Sequence, residues 1–246
     1  MSLTTITIDF WQTLYDNSNG EERNAERKSV LMNAITAEHP SPDPALFHAA
    51  YAGLWEYFDH HWLKGKRTPT SEELVGEILR RLDLAITDDA VREVIRAFEE
   101  GILEYPPALL PGVREGLEYL SGLAPLALIS DTAFSPGSVL RQVMERDGIA
   151  DYFQEYSFSD ETGVAKPHPE AFLRALEPLG GFPETSLHIG DIERTDIIGA
   201  KGVGMRAILY RNAEVQTKYA EKETRADGVM EHWGEVVETV EKVTRV

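Results

Sequence analysis

Four short apolar runs, separated by longer stretches of helical periodicity, constrain the fold of this 246-residue chain more than any other feature. The runs are rich in β-branched and aliphatic residues and lie at Thr4 to Asp9, Pro125 to Ile129, Ser186 to Ile189 and Arg206 to Tyr210. Strands that alternate with helices at this spacing favour a parallel sheet covered on both faces. The sequence therefore predicts an α/β fold with a doubly wound, Rossmann-like parallel sheet.

The region between the first and second runs has a different hydrophobic pattern, because it contains no strand-like run and its apolar residues recur with helical spacing. Thr70 followed by Glu73 fits a capping box at the start of one helix. Four helices are predicted, at Glu21 to Glu38, Pro44 to Leu63, Ser71 to Leu82 and Asp88 to Leu103. We therefore expect an all-helical insert at residues 16–105 of an α/β core formed by residues 1–15 and 106–246, with hinges near Tyr15 to Asn19 and Leu103 to Pro107.

The second predicted helix carries an aromatic stripe with the spacing i, i+4, i+7, i+11, so its four side chains share one face. The stripe consists of Tyr51, Trp55, Phe58 and Trp62. The pattern favours the insert's own hydrophobic core over a wall that contacts substrate.

Composition excludes several classes of function. The chain carries 24 basic and 42 acidic residues, a net charge of −18 that repels nucleic acid and anionic lipid surfaces. With no cysteine, it has no disulfide, thiolate nucleophile or cysteine-bound zinc. The sequence shows neither a signal peptide nor a run long enough to span a membrane, so we expect a soluble, cytoplasmic protein. It does not indicate an oligomeric state.

Polar side chains follow three of the predicted strands, at the sheet edge where ligands of parallel sheets bind. Asp9 and Thr13 follow the first run, Ser130 and Asp131 the second, and Asp191 and Asp196 the third, while Lys166 lies in a loop ahead of a helix. Three crowded carboxylates, those of Asp9, Asp191 and Asp196, require a compensating cation, and oxygen ligands suit Mg²⁺. An ammonium and a hydroxyl nearby suit a bound phosphate, which a carboxylate nucleophile can accept as an aspartyl-phosphate.

Four segments together resemble, in order and spacing, the motifs of the haloacid dehalogenase-like (HAD) hydrolases. They are Asp9-Phe-Trp-Gln-Thr-Leu, Ser130-Asp-Thr, Lys166-Pro and Gly190-Asp191 with Asp196 five residues further on. The resemblance covers nearly the whole chain, and it implies a Rossmann-like core with a helical cap of the first type inserted after the first motif.

The resemblance also implies roles for individual residues. Asp9 would be the nucleophile and a Mg²⁺ ligand, Thr13 would orient the nucleophile loop, and Ser130, Asp131 and Lys166 would contact the phosphorylated substrate. Asp191 and the backbone carbonyl of Trp11 would ligate the metal, and Asp196 would do so directly or through water. Small phosphorylated metabolites are the substrates that such a site implies.

One departure from the family's pattern affects the chemistry. Phosphatases of this family usually have a second aspartate two residues after the nucleophile, which protonates the leaving group and later activates water. Trp11 stands there, and the next position, commonly glycine, is Gln12. General acid–base catalysis usually contributes ~10² to 10⁴-fold, so we expect poor turnover of alkyl phosphates and a preference for aryl or acyl phosphates.

Three functions stay open at this point. The first is a Mg²⁺-dependent phosphohydrolase. The second is a metal-independent 2-haloacid dehalogenase, because the aromatic residue Trp11 resembles the pattern of that branch two positions after the nucleophile. Against it, that branch has serine and asparagine where this chain has Gly190 and Asp191. The third is a non-catalytic binding module, motivated by Trp11 and Gln12.

Overall fold

The computed structural model describes residues 2–40, 42–211 and 223–245 of the chain. Its strands are β1 (Thr5–Ile8), β2 (Leu126–Ser130), β3 (Phe153–Phe158), β4 (Ser186–Gly190), β5 (Arg206–Tyr210) and β6 (Gly228–Met230). They form one parallel sheet with the order β3-β2-β1-β4-β5-β6. The predicted α/β fold with a parallel sheet is confirmed.

Helices account for most of the rest of the described chain. They are α1 (Gly20–Glu38), α2 (Pro44–Ala52), α3 (Leu54–Asp59), α4 (Ser71–Leu82), α5 (Asp88–Glu104), α6 (Val113–Ser121), α7 (Gly137–Arg146), α8 (Ser159–Thr162), α9 (Pro169–Leu176), α10 (Ile198–Gly202) and α11 (Val236–Thr244). Within the described ranges, none of them is long and apolar enough to cross a membrane.

The sheet is buried on both faces because alternate residues of each strand point to opposite sides. On one face, Ile6, Ile8 and Leu128 pack against α6, α7 and α11. On the other face, Ala127 and Ile129 pack against α9 and α10. The carboxyl end of β1 lies between those of β2 and β4, so Asp9 occupies the middle of the edge where a parallel sheet binds ligands.

Helices α1 to α5, which we call the helical insert, have a hydrophobic cluster of their own. The capping box predicted at α4 is present, because Thr70 Oγ1 accepts from the backbone N–H of Glu73 and the Glu73 carboxylate accepts from that of Thr70. The insert packs on the core through Phe134, which follows β2 and joins the insert's cluster.

The prediction of a single helix over Pro44 to Leu63 is wrong. Gly53 separates α2 from α3, and a π-helical segment, His60–Lys64, follows. Glycine is a poor helix former, and here a Cβ on Gly53 would lie 1.7 Å from Nη1 of Arg81. The bare backbone at this point therefore admits the Arg81 side chain.

The sequence-based prediction also missed two strands, β3 and β6. Each lies at an edge of the sheet and pairs with a single neighbour, β2 or β5. β3 contains partly exposed polar residues where a central strand is apolar, and β6 spans only three residues. Their strand conformation is set by pairing with an existing strand rather than by local periodicity.

Gly116 in α6 gives a test of the packing. A Cβ there would lie 2.4 Å from Cε3 of the buried Trp233 ring. Helix propensity alone predicts that Gly116→Ala stabilises the protein by about 1 kcal/mol, whereas overpacking costs roughly 1–3 kcal/mol. We expect a net loss in the free energy of unfolding, measured by urea titration. Gly76→Ala in α4, where the Cβ meets no atom within 4 Å, is the control and should be neutral or stabilising.

Candidate active site

The predicted site residues come together at the carboxyl ends of the three middle strands. Asp9 follows β1, Ser130 ends β2 and Asp191 follows β4. The carboxyl groups of Asp9 and Asp191 line one cavity of about 880 Å³, together with Lys166 and other side chains of the core and the helical insert. Site residues separated by up to 187 positions in the chain, Asp9 and Asp196, therefore share one chemical environment.

Lys166 is the hub of this environment and is only 2% exposed. Its Nζ donates to Asp9 Oδ1 at 2.5 Å, to Asp196 Oδ1 at 2.7 Å and to the carbonyl oxygen of Ile129 at 3.1 Å. An ammonium group has three protons, and each has an acceptor here. The lysine thus fixes the nucleophile candidate, Asp9, relative to the fourth motif.

The Asp196 carboxylate is held by four donors. Oδ1 accepts from Lys166 Nζ and lies 3.0 Å from Nε2 of His188, while Oδ2 accepts from the backbone N–H of Ile192 at 3.2 Å and from Thr195 Oγ1 at 2.9 Å. Both oxygens are therefore engaged by protein groups. This geometry suits a residue that positions Lys166, and the role of Asp196 as a metal ligand, directly or through water, stays a prediction.

His188 is a site residue that the sequence analysis missed. It lies inside β4, fully buried, with Nδ1 2.8 Å from Thr7 Oγ1 and Nε2 facing Asp196. Burial lowers the pKa of His188 below its usual value, although Asp196 opposes the shift. The only signal in the sequence is a titratable residue within an otherwise apolar strand, which does not reveal the face to which it points.

Glycine at position 190 is required by close packing. A Cβ on Gly190 would lie 2.4 Å from Asp196 Oδ1, so any side chain would displace that carboxylate from Lys166. Asp196 itself lies in a π-helical turn, Glu193–Ile197, that leads into α10. Such turns are frequent at functional sites.

The carboxyl groups are in an electrostatic environment that disfavours full ionisation. Burial raises the pKa of Asp9 to about 7, with Lys166 opposing the shift and Asp196 adding to it. Burial also raises the pKa of Asp191 well above 3.8, and repulsion from Asp9 and Asp196 adds to the shift. Burial alone would raise the pKa of Asp196 too, but Lys166 and His188 hold it below its ordinary value. One ammonium group is therefore insufficient to balance these acids.

Asp131 joins the core to the helical insert. Its Oδ2 accepts from Trp62 Nε1 at 2.7 Å, and its Oδ1 accepts from the backbone N–H of Lys166 at 2.9 Å. Burial raises the pKa of Asp131 to about 6, with Lys166 and the Trp62 hydrogen bond opposing the shift. Asp131, which the sequence predicts to contact the substrate, thus already accepts hydrogen bonds from two protein donors.

Two predicted hydroxyls have no protein partner. The Oγ atoms of Ser130 and Thr13 are buried and make no hydrogen bond within the described ranges. Buried polar atoms are normally satisfied, so both hydroxyls are available to a polar ligand, although neither residue is among those that line the cavity. The backbone of Thr13 is anchored independently, because its carbonyl oxygen accepts from Trp233 Nε1 at 2.7 Å.

Gln12 adopts the left-handed backbone conformation, with φ of 59°. The family's usual glycine at this position adopts that conformation without strain, whereas a residue with a Cβ pays roughly 1–2 kcal/mol. The loop is held by hydrogen bonds from Gln12 N to Tyr15 O at 2.6 Å and from Leu14 N to Phe10 O at 3.0 Å. These bonds hold the nucleophile loop with glutamine in the left-handed conformation at this position.

Trp11 places an indole where a carboxylic acid is usual. Its ring meets Phe10 edge-on, with centroids 5.0 Å apart, and lies under the guanidinium of Arg23 at 5.8 Å. The backbone carbonyl of Trp11 accepts no hydrogen bond from the described residues. The Trp11 side chain therefore supplies no titratable proton at this position, whereas its backbone carbonyl oxygen is free to accept a bond from a ligand.

The aromatic stripe divides between two environments. Tyr51 lies in the insert's hydrophobic cluster, as predicted. In contrast, Trp55, Phe58 and Trp62 line the cavity, and Trp55 is 47% exposed. The interpretation of the stripe as the insert's own core is therefore wrong for Trp55, whereas Phe58 and Trp62 are buried in a second hydrophobic cluster that includes Ala165, next to Lys166.

The comparisons with known proteins agree with this geometry. The sequence model of a family of hydrolases, described as haloacid dehalogenase-like hydrolase, matches residues 3–204, a range that contains every predicted site residue. The chain belongs to the haloacid dehalogenase-like hydrolases. The predicted family is thereby confirmed, and the protein is an enzyme of a hydrolase family.

Several relatives of this HAD hydrolase are named as phosphatases. It is 28% identical to the glyceraldehyde 3-phosphate phosphatase of Pyrococcus furiosus, over 98% of this chain and 94% of the relative. It is 30% identical to the enzyme of the same name from Pyrococcus abyssi, over 85% of this chain and 82% of the relative. In structure it resembles a 2-haloacid dehalogenase from Pseudomonas syringae, with a TM-score of 0.67, 21% identity and coverage of 98% and 99%. At that identity the likeness concerns the fold alone.

The raised pKa of Asp191 predicts the effect of removing its charge. Folding favours the protonated form of Asp191, so above the ordinary carboxyl pKa this residue destabilises the folded state relative to the unfolded chain. We therefore expect Asp191→Asn to unfold at a higher temperature than the wild type in EDTA at pH 7. Below pH 3.8 the residue is protonated in both folded and unfolded chains, so the difference should vanish as pH falls towards that value and grow as pH rises above it. Calorimetry across this range tests the prediction, and an equal or lower unfolding temperature at pH 7 would contradict it.

Proposed function

We propose that this HAD hydrolase is a Mg²⁺-dependent phosphohydrolase that acts on a small phosphorylated metabolite through an aspartyl-phosphate at Asp9. The observation that carries the proposal is the position of Lys166, which is buried, bonds to Asp9 at 2.5 Å and lines the same cavity as Asp9 and Asp191. Ser130, whose hydroxyl is unpaired among the described residues, ends the adjacent strand β2. A buried ammonium and unpaired hydroxyls are the groups that neutralise and bind phosphoryl oxygens. The phosphatase relatives support the same reaction class.

The residues present fit a bound Mg²⁺. Within the described residues, no three His, Asp or Glu side chains form a group that could hold a metal ion, so a bound Mg²⁺ would also need backbone, water or substrate oxygens as ligands. Mg²⁺ is commonly held by one or two carboxylates with waters and substrate oxygens, and here Asp9, Asp191 and the unused Trp11 carbonyl offer that donor set. The excess of buried carboxyl groups over Lys166 also favours a cation. When bound, Mg²⁺ would balance the charge of the carboxylates and the phosphoryl group.

The chain's own groups then perform two displacements. A carboxylate oxygen of Asp9 attacks phosphorus, and the bond from phosphorus to the leaving oxygen breaks with its electron pair on that oxygen. Lys166 neutralises the charge that Asp9 shares with the phosphoryl group, and Ser130 donates a hydrogen bond to a phosphoryl oxygen. Water next attacks the same phosphorus, and the bond from phosphorus to the Asp9 oxygen breaks with its electron pair on that oxygen, which restores the Asp9 carboxylate. One proton of the water stays on the phosphate and the other is released to solvent.

Trp11 determines which leaving groups are tolerated. With no acid two residues after the nucleophile, the departing oxygen must leave as an anion. Phenolates and carboxylates leave in this form, whereas alkoxides require a proton. We therefore propose aryl and acyl phosphates as the better substrates. Two relatives are named for glyceraldehyde 3-phosphate, which is an alkyl phosphate. It is a candidate substrate that the wild-type protein would hydrolyse slowly.

We propose that the helical insert is the cap of this enzyme, over residues 16–105. Trp62 reaches the core at Asp131, and the carbonyl of Lys66 accepts from Ala165 N at 2.7 Å, next to Lys166. These contacts hold the helical insert against the core next to Lys166. Full closure of the insert over the cavity would exclude bulk water, which protects an aspartyl-phosphate from uncontrolled side reactions.

A 2-haloacid dehalogenase is the second candidate, favoured by the aromatic side chain of Trp11. In that reaction the Asp9 carboxylate would displace halide from carbon without a metal. Against it stands Asp191, whose buried charge has no evident purpose without a cation. Chloride release from 2-chloropropionate in EDTA, in the absence of phosphatase activity, would favour this candidate. A non-catalytic module is disfavoured because the bonds of Lys166 to Asp9 and Asp196 are intact.

Hydrolysis of 4-nitrophenyl phosphate tests the proposal. We expect turnover that rises with added Mg²⁺ and stops in EDTA, and a loss of at least about a thousandfold in kcat for Asp9→Asn, because the nucleophile is removed. Asp151→Asn, at an exposed position of the core, is the matched control and should retain wild-type turnover. Failure of Mg²⁺ to stimulate hydrolysis at any concentration would refute the proposed function.

Restoring the missing acid is a second test. We expect Trp11→Asp to raise kcat/KM for an alkyl phosphate such as glycerol 3-phosphate by at least about tenfold, since a general acid usually contributes ~10² to 10⁴-fold. Turnover of 4-nitrophenyl phosphate should change much less, because nitrophenolate leaves without protonation. The ratio of the two rates is the readout, so a loss common to both substrates does not affect it. An unchanged ratio would show that Trp11 does not set the leaving-group preference.

A further inference from the structure

Two arginines of α1, Arg23 and Arg27, line the cavity from the side of the helical insert. They are 3% and 7% exposed, and neither forms a salt bridge with any carboxylate in the described ranges. Burying a cation without a counter-ion is costly, and a chain with 42 acidic residues has ample carboxylates to pair with one. The arrangement therefore indicates that an anion from outside the chain supplies the missing charge.

Arg23 has a structural task that accounts for it. Its Nη1 donates to the carbonyl oxygens of Ser18 at 2.7 Å and Tyr105 at 2.6 Å, and its Nη2 donates to Asn17 Oδ1 at 2.9 Å. These acceptors lie in the two chain segments that connect the helical insert to the core. Arg23 thus ties the two connections together, and its terminal amino groups are largely used.

Arg27 has no comparable set of partners. Its Nε donates to the carbonyl oxygen of Phe98 at 3.1 Å, and its guanidinium lies over the Phe134 ring with 4.2 Å to the centroid. Its two terminal amino groups make no hydrogen bond to the described residues. Burial lowers the pKa of Arg27 to about 10, with Arg23 adding to the shift, so the group is still charged at neutral pH. A fixed, planar cation with free donors is therefore aimed at the cavity.

We infer that Arg27 binds a second anionic group of the substrate, a carboxylate or a second phosphate at the end opposite the phosphoryl group that is transferred. This inference rests on the proposed function, because it places one end of the ligand at Lys166 and Ser130. A guanidinium fork matches both carboxylate and phosphate in planar, two-point geometry. Phe134 holds the fork from below by stacking, and Trp55 and Phe58 form apolar walls of the same cavity.

The nearby acids do not remove this preference. Glu21 and Glu22 also line the cavity, but their side chains are exposed at the start of α1. Exposed charges are screened by solvent and salt, whereas a desolvated guanidinium is not. A neutral hydroxyl or aldehyde would leave the charge of Arg27 unbalanced, so the subsite discriminates against esters that lack a second anion.

Competitive inhibition of 4-nitrophenyl phosphate hydrolysis tests the inference without requiring turnover of the competitor. We compare 3-phosphoglycerate with glycerol 3-phosphate, which has a hydroxymethyl group in place of the carboxylate, and fructose 1,6-bisphosphate with fructose 6-phosphate. In wild type, the competitor with the second anion should bind at least about 30-fold more tightly in one pair, a factor typical of a buried charge pair. The pair that shows the difference identifies the anion as carboxylate or phosphate.

Arg27→Gln should reduce that ratio of inhibition constants to near one. Arg96→Gln, which removes the same charge at an exposed position of the helical insert, should keep the wild-type ratio. Thermal unfolding checks that both variants fold. If Arg27→Gln does not fold, Arg27→Lys replaces it; this variant keeps the charge but lacks the guanidinium fork, so it should lower the ratio of inhibition constants only in part. Equal inhibition by both members of both pairs, or a ratio unaffected at position 27, would overturn the inference. Absence of Mg²⁺-dependent hydrolysis in wild type would instead refute the proposed function, and this inference with it.

Discussion

A buried ammonium group bonded to two carboxylates is the interaction on which the site depends. Lys166 Nζ joins Asp9 to Asp196, and Asp196 is joined in turn to His188. Taking these charges out of water is costly, and mutual attraction with complete hydrogen bonding offsets that cost only if every partner is present. Removing one partner leaves an unbalanced charge in the core, which typically costs 3–5 kcal/mol. The order of the sheet and the geometry of the site are therefore secured by the same bonds.

The excess of negative charge around Lys166 links stability to function. Asp9 and Asp191 both have raised pKa values because burial and mutual repulsion disfavour their ionised forms. Strain of this kind persists where a ligand relieves it, and a divalent cation together with the bound substrate would do so here. Arg27, which lines the same cavity, presents the opposite imbalance, because it is buried with no carboxylate partner in the described ranges. The lining thus contains both an excess of carboxyl groups and a guanidinium without a counter-ion.

The sequence was informative where function follows from position relative to a strand end. Asp9, Ser130 and Asp191 could be predicted because each ends or directly follows a strand, and parallel strands present these positions at one edge. Their spacing also carried the family resemblance. Lys166 was a candidate from its position in a loop ahead of a helix, and the resemblance supplied its individual role.

Other features could not be predicted, because they depend on packing between distant segments. Arg27 is one charged residue among many on α1, and its burial and its contacts with Phe98 and Phe134 distinguish it from a solvated arginine. The same holds for His188, whose role depends on the face of β4 to which it points. The edge strands β3 and β6 likewise acquire their conformation from a neighbour.

The most direct test of the account is the covalent state of Asp9 during turnover. Protein mixed with excess 4-nitrophenyl phosphate and Mg²⁺ is quenched in acid within the first turnovers, digested and mapped by mass spectrometry. The account predicts a phosphoryl group on the peptide that contains Asp9, which appears within one turnover and disappears when substrate is exhausted. Hydrolysis that proceeds with no phosphoryl group on that peptide, or with one on another residue, would contradict it.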